Sequence, residues 1–232
     1  MRYRIAVEDM EPNHHVCWVL DLPGCFSSAR DRERAVVAAP SQIVEYFAWI
    51  ARHDSMSREE SGRLEVDVVE VFESFPCAAD PEYLVNAFFE DDRRPLSSQD
   101  VETGLRLLEW TREDLLRESA CLPAEELSRP ISGEIRGTIG GILEHVARAE
   151  NWYLSRLGVG VDWSELPEAA FGKLEGVRAN TRSRLATLVG DQRVTVNWDE
   201  RWSARKILRR TLWHERAHTE QIRRLSRRGC KA

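Results

Sequence analysis

The spacing of apolar residues changes partway along this chain, and the change limits the folds that the chain can adopt. Up to about residue 75, apolar and polar residues mainly alternate, as they do in strands that bury one face. From Ser97 onward, apolar residues recur at the three- and four-residue spacing of amphipathic helices. One layer of secondary structure cannot have both the alternating spacing of strands and the three- and four-residue spacing of helices. A chain of 232 residues is long enough for two small domains. We therefore expect a strand-rich domain followed by a helical one.

The N-terminal part predicts an α+β domain. Strands are expected at Arg4–Val7, at His15–Leu20, in a short segment after a turn over Asp21–Ser28, and over residues 63–75. A helix is expected over residues 31–53, where Pro40 should kink or split it. The order β-β-β-α-β predicts a domain over residues 1–75 in which one helix covers one sheet.

The remainder predicts an all-α domain after a connector. Residues 76–96 contain three prolines and a charged run, which is typical of a connector, but their apolar side chains predict that this connector packs on a domain. Amphipathic helices are expected at residues 97–122, 138–157, 167–189 and 203–225, with an extended link at 193–198. Four helices that each carry one apolar face predict an up-and-down four-helix bundle over residues 97–232.

Composition excludes several functional classes. The net charge of -6 argues against a general attraction to nucleic acid. No apolar run approaches the roughly 20 residues that a membrane helix needs, and the N-terminus lacks the apolar stretch of a signal peptide. The basic residues near the C-terminus are predicted to form a solvated helix end: Arg223, Arg224, Arg227 and Arg228. We therefore expect a cytoplasmic protein with no nucleic-acid or membrane partner.

The cysteines agree with that location. They are odd in number, widely spaced and without a Cys-x-x-Cys pair: Cys17, Cys25, Cys77, Cys121 and Cys230. This pattern predicts reduced thiols and argues against both a disulfide framework and a cysteine zinc site.

Three histidines of the helical part form a candidate metal site. His214 and His218 in the stretch WHERAHTEQI are four residues apart, so they share one face of a helix. His145 lies on the apolar side of the second predicted helix. Neutral imidazoles bind divalent transition metals well, and three protein ligands leave a coordination position open for chemistry. The alternative interpretation is three buried, hydrogen-bonded imidazoles without a metal.

The same stretch contains His-Glu-x-x-His, the motif of zinc proteases. The long form of that motif requires a glycine and a third histidine, but Gln221 and Arg224 occupy those positions. The third ligand must therefore come from upstream, which disfavours a protease. Glu215 is then expected to face another helix or solvent.

The helical part resembles the DinB/YfiT-like family. The resemblance rests on residues 140–158, with a histidine followed by an aromatic pair, and on residues 201–225, with His-x-x-x-His; it spans roughly residues 97–229. By position, it places the metal triad of that family on His145, His214 and His218. It implies a divalent metal such as Zn, Ni or Fe, a homodimer, and transfer or isomerisation reactions that use a low-molecular-weight thiol such as bacillithiol or mycothiol.

The N-terminal part resembles the HicB-like domains of antitoxins and related proteins. The resemblance rests on Asp21-Leu22-Pro23-Gly24-Cys25, followed by a polar segment and an amphipathic helix, within residues 3–73. It implies a surface that binds a small protein, although no DNA-binding segment follows. The alternative interpretation is structural, with Pro-Gly forming a turn and Cys25 filling a small core site.

Two functional hypotheses follow. The first is a metal-dependent thiol transferase or isomerase, or a hydrolase, acting on a small-molecule substrate at the three histidines. The second is a non-enzymatic regulatory module in which the HicB-like domain recruits a protein partner. Six further side chains have two possible roles: they line a pocket at the histidines, or they only pack in the core or face the surface. These are Trp152, Tyr153, Trp213, Arg148, Arg216 and Glu215.

Overall fold

The computed structural model describes residues 1–54 and 63–229, without the side chains of 227–229. Cys230 and the side chains of Arg227 and Arg228 therefore lie outside the described part. The chain divides into two compact units, Met1–Arg94 with Val194–Lys206, and Pro95–Arg193 with Ile207–Ala232. These units differ from the predicted domains because residues 76–94 and 194–206 both group with the strand-rich unit.

The first unit is built on a four-stranded mixed sheet. Its strands are β1 (Arg2–Glu11), β2 (His14–Val19), β3 (Phe26–Ala29) and β4 (Glu65–Glu73), in the order β3-β2-β1-β4. The pairs β1–β2 and β2–β3 are antiparallel, and β1–β4 is parallel. The strand-rich region that the alternating pattern predicted is therefore present, with β4 at an edge of the sheet.

One helix covers one face of this sheet, as predicted. Helix α1 (Arg32–His53) begins after Asp31, whose carboxylate accepts from the backbone N–H of Arg34, at 2.8 Å. Its buried residues recur at helical spacing: Ala35, Ala39, Ile43, Tyr46 and Trp49. Of the two effects expected from Pro40, a split is not observed, since α1 is one continuous helix with Pro40 inside it. Burial of a whole apolar face outweighs the single backbone hydrogen bond that proline removes.

The segment Asp21–Cys25 is a structural turn. Gly24 has φ of +80°, which suits glycine, and the backbone N–H of Cys25 donates to Leu22 O at 2.9 Å. The Tyr46 hydroxyl of α1 donates to Pro23 O at 2.9 Å, and Cys25 is buried. The turn therefore joins β2 to β3 and holds α1 on the sheet. These contacts agree with the structural interpretation of the motif.

The opposite face of the sheet is covered by the predicted connector. Glu8 of β1 is fully buried, and its carboxylate accepts from Trp18 Nε1 at 3.0 Å and from the backbone N–H of Ala87 at 2.7 Å. The connector contains β6 (Leu84–Val85), which pairs with β5 (Phe75–Pro76). The expectation that its apolar residues pack on a domain therefore agrees with the structure.

The predicted extended link forms a hairpin of the first unit. Strands β7 (Thr195–Asn197) and β8 (Glu200–Trp202) are joined by Trp198 and Asp199, both at positive φ. Glu200 is buried and accepts from Lys206 Nζ at 2.6 Å and from the Tyr83 hydroxyl. These bonds attach the hairpin to the connector, which is why it groups with the strand-rich unit.

The second unit contains long helices at the predicted positions. They are α2 (Ser98–Ser119), α4 (Ile139–Ser155), α5 (Ala170–Thr187) and α6 (Ala204–Gly229), with a short α3 (Ala124–Ser128) that was not predicted. Ser97 and Thr138 cap α2 and α4 through their hydroxyls. The core draws on all four long helices: Leu115, Ile142, Leu143, Val146, Leu174, Val177 and Ile222. Among the described residues, no helix has the length and apolar composition to cross a bilayer.

The described cysteines are all free thiols. Cys17, Cys25 and Cys77 are buried, whereas Cys121 is exposed. Burial raises the pKa of the Cys17 thiol to about 11, so it stays protonated and unreactive at neutral pH.

Candidate metal centre

The structure brings the three predicted histidines together in the second unit. The Nε2 atom of His214 lies 3.0 Å from Nε2 of His145 and 3.2 Å from Nε2 of His218. The candidate ligand atoms of all three lie within 4.8 Å of one another. Three nitrogens around a tetrahedral zinc ion at 2.0–2.1 Å would be about 3.3 Å apart. The imidazoles therefore already approach the spacing of a three-histidine metal site.

Local sequence explains this convergence. His214 and His218 are one turn apart on α6, so their side chains leave the same face. His145 lies on α4, between the core residues Leu143 and Val146. Because α4 and α6 share the apolar core of this unit, packing of that core brings His145 to the α6 pair.

A hydrogen-bond chain fixes the orientation of His218. The Glu134 carboxylate accepts from Gln221 Nε2 at 2.7 Å, which directs Gln221 Oε1 to Nδ1 of His218 at 2.6 Å. A neutral His218 must then carry its proton on Nδ1, leaving a lone pair on Nε2. In the sequence, Gln221 is recognisable only as a mismatch to the protease motif, and Glu134 belongs to no motif. Their contact spans 87 positions of the chain, so no local pattern could reveal it.

Burial keeps all three imidazoles neutral. Desolvation lowers the pKa of His145 from 6.5 to about 4 and lowers that of His214 well below its usual value. Desolvation also lowers the pKa of His218, although its bond to Gln221 acts in the opposite direction. The positive charge of Arg136 contributes to each of these shifts. Neutral imidazoles have the lone pairs that metal binding requires.

These pKa shifts predict that the metal-free protein loses stability in mild acid. Below about pH 6.5 the unfolded chain protonates its histidines, whereas folded His145 resists protonation until about pH 4. Protons therefore stabilise the unfolded state, and the free energy of unfolding should fall as the pH drops through this window. Urea unfolding in EDTA at pH 7.5 and pH 5 measures the loss. His145→Gln, which cannot titrate, should show a smaller loss, and an equal loss would contradict the prediction.

Glu215, between the two α6 histidines, belongs to a buried ion-pair network. Its Oε1 accepts from Arg112 Nε at 2.6 Å, and its Oε2 accepts from Arg178 Nη2 at 2.6 Å and from the Thr111 hydroxyl at 2.5 Å. Glu150 completes the network, accepting from Arg112 Nη2 at 3.0 Å and Arg178 Nε at 2.8 Å. The two arginines and two glutamates compensate each other's charge and link α2, α4, α5 and α6.

This network argues against a protease-like role for Glu215. Burial alone would raise its pKa, but Arg178 and Arg112 outweigh that effect and hold the pKa below its usual range. Both carboxylate oxygens are occupied by these arginines. Glu215 faces other helices, which is one of the two expected orientations, and it is not free to act as the general base of a His-Glu-x-x-His protease.

The other candidate side chains lie around the site at different distances. The ring centroids of Tyr153 and Trp213 lie 6.0 Å and 5.9 Å from that of His214, and Trp152 contacts Tyr153. Arg148 pairs with Glu144 at 3.1 Å and stacks on Trp163, so it serves the surface of α4. Arg216 is partly exposed on α6. Among the candidate aromatic side chains, Tyr153 and Trp213 therefore border His214.

A divalent transition metal fits this donor set. Three neutral imidazole nitrogens suit Zn, Ni, Fe or Cu, whereas Mg and Ca prefer oxygen ligands. Among the described residues, these three histidines are the cluster whose side chains could hold a metal ion. The site can thus present a Lewis acid with an open position beside two aromatic rings.

Comparison with known proteins identifies a family for the helical part of the chain. A sequence model described as the DinB superfamily matches residues 107–222, half of the chain. The matched region contains the three histidines, Gln221, Glu134 and the four charged residues of the network. No curated protein and no solved structure matches the chain.

Proposed function

This chain belongs to the DinB superfamily, and we propose that it binds one divalent metal ion through His145, His214 and His218. The observation that carries the proposal is the convergence of three Nε2 atoms, two of them 3.0 Å and 3.2 Å from the third. Three imidazole nitrogens suit Zn, Ni, Fe or Cu, and the family resemblance implies Zn, Ni or Fe. Elemental analysis of protein purified without chelator should find about one metal per chain. Absence of metal after reconstitution would overturn the proposal.

We propose that the site serves an enzyme, a thiol-dependent transferase or isomerase. A bound divalent ion would lower the pKa of a thiol or water at its open position. Tyr153 and Trp213 would exclude water from one side of the site, and the chain from His218 through Gln221 to Glu134 would hold a ligand nitrogen in place. Hydrolysis of a small molecule is the alternative reaction, using water in place of the thiol.

Cobalt substitution tests the choice between thiol and water. Co²⁺-loaded protein titrated with bacillithiol or mycothiol should develop a sulfur-to-cobalt charge-transfer band in the near ultraviolet if the thiol binds the metal. A Co²⁺ spectrum that changes with pH but not with either thiol would favour hydrolysis. The His145→Ala protein, which lacks one ligand, serves as the blank.

Replacing Gln221 by leucine is expected to weaken Zn²⁺ binding by roughly 10- to 100-fold, the usual effect of losing a partner behind a metal ligand. Leucine removes the acceptor that holds the Nδ1 proton of His218, so its imidazole can rotate or change tautomer. Competition with a fluorescent zinc chelator measures the affinity. Gln99→Leu, an exposed position on α2, is the matched control and should bind as tightly as the unmodified protein. Equal affinity of both variants would show that Gln221 does not position His218.

We propose that residues 97–232 form a DinB-like four-helix bundle and that this part forms a homodimer. The buried network linking α2, α4, α5 and α6 supports the bundle. Sedimentation equilibrium tests the dimer, since a mass of 26.7 kDa would indicate a monomer.

The second candidate function is a regulatory module in which residues 1–75 are a HicB-like domain that recruits a protein. The exposed valines on the edge strand β4 favour it: Val68, Val69 and Val71 are 47%, 52% and 43% exposed. An edge strand can pair with a partner strand, and the glutamates of β4 would favour a small basic protein. Affinity capture should recover such a partner in stoichiometric amount. Val69→Lys should abolish that capture, whereas Val37→Lys on the exposed side of α1 should not.

A further inference from the structure

Arg136 lies against the three histidines and has no role in the hypotheses above. Its Nη2 atom is 3.3 Å from Nε2 of His145, the same atom that faces His214. The side chain is exposed, and among the residues that the structure describes no carboxylate is paired with its guanidinium. The positively charged guanidinium of Arg136 therefore lies against the histidine nitrogens, which are themselves suited to bind a positively charged metal ion.

The backbone around Arg136 is fixed by the same chain that orients His218. The N–H of Arg136 donates to Glu134 Oε1 at 3.0 Å, and Glu134 Oε2 accepts from Gln221 Nε2 of α6 at 2.7 Å. Backbone bonds from Ile131 to Gly137 at 2.8 Å and from Gly137 to Glu134 at 2.9 Å close the loop. Arg136 is therefore placed beside the histidines by the fold and does not reach them from a free segment.

We propose that Arg136 binds the carboxylate of a small molecule held at the position that three histidine ligands leave open. This inference rests on the proposed metal function. The lone pair of His145 Nε2 cannot accept from Arg136 and also bind a metal, so the guanidinium must leave that nitrogen when a metal binds. Because the backbone of Arg136 is held by Glu134, the guanidinium stays within reach of the ion, and an anion bound between the two cations would offset their repulsion. The planar fork of arginine matches a carboxylate, which it can bind through two parallel hydrogen bonds.

Acetate is the probe for this site, and Co²⁺ reports on it. The d–d absorption of Co²⁺-loaded protein at constant ionic strength should change on titration with acetate. In R136Q the acetate dissociation constant should rise by about 10-fold or more, since a charge-assisted pair is lost. R136K should be intermediate because lysine keeps the charge but not the fork. R129Q, which removes an exposed arginine paired with Glu126, is the control and should match the unmodified protein.

The affinity of R136Q for Co²⁺ distinguishes carboxylate binding by Arg136 from a role in supporting the metal site. R136Q should bind Co²⁺ at least as tightly as the unmodified protein, because a positive charge next to the ion is removed. Loss of Co²⁺ binding in R136Q would mean that Arg136 only supports the site, and equal acetate binding in both proteins would mean that it does not meet the carboxylate. Either result overturns this inference and leaves the metal proposal intact. Failure of the unmodified protein to bind Co²⁺ would overturn both.

Discussion

Replacing Glu215 by glutamine is expected to lower the free energy of unfolding by about 3–5 kcal/mol, the effect of breaking a buried ion pair from one side. Glu215 is 1% exposed and receives hydrogen bonds from Arg112 and Arg178, which are also buried. Without its charge, the network has two arginines and one glutamate, so a positive charge remains uncompensated in the core. The amide nitrogen of glutamine would also face guanidinium donors.

Urea and thermal unfolding of the metal-free protein measure this effect. Glu220→Gln is the matched control on the same helix, because Glu220 is exposed and pairs with Arg223 at 2.7 Å. That substitution should cost less than about 1 kcal/mol, as surface ion pairs usually do. If E215Q were as stable as E220Q, Glu215 would not be a structural residue, and its place in the His-Glu-x-x-His motif would again suggest general-base chemistry. Casein digestion by the zinc-loaded protein would test that outcome.

Replacing His214 by alanine is expected to weaken Zn²⁺ binding by more than about 100-fold, since loss of a ligand exceeds the cost of losing a partner behind one. His214 is central to the cluster, because its Nε2 faces those of both His145 and His218. Only two imidazoles would remain, which bind a divalent ion weakly without further ligands. Competition with a zinc chelator and elemental analysis of the purified variant both report the loss.

Two further variants separate metal loss from misfolding. His214 is only 7% exposed, so alanine also leaves a cavity. His145 is less buried, and His145→Ala should lose metal with a smaller change in stability. His14→Ala, on β2 of the other unit, should keep one metal per chain. Retention of metal by both His214→Ala and His145→Ala would reject the three-histidine site.

Sequence periodicity was sufficient for the order and type of the main elements. Alternation predicted the strands around α1, and helical spacing predicted α2, α4, α5 and α6, because each buries one face whose period its own residues display. The hairpin over residues 195–202 was not predicted, since its turn residues are Trp198 and Asp199 and not the glycine or asparagine that usually mark such turns. The short α3 has no buried residue and hence no apolar pattern.

The histidine site likewise combines a part that local spacing predicts with a part that depends on helix packing. His214 and His218 share a face of their helix however the helices pack, because they are about one helical turn apart. That His145 joins them was expected from its place on the apolar side of the second helix and from the family resemblance, and the spatial convergence itself depends on the packing of α4 against α6.

The type of the long helices and of the sheet strands, and the chemistry of the available ligands, follow from the sequence alone, because they depend on residues that are near in the chain. Which distant groups meet is set by the packing of the helices: Gln221 with Glu134, Glu215 with Arg112 and Arg178, and Arg136 with His145. These contacts depend on how the core packs, and a polar residue that will be buried in an ion pair has the same local pattern as one that faces water.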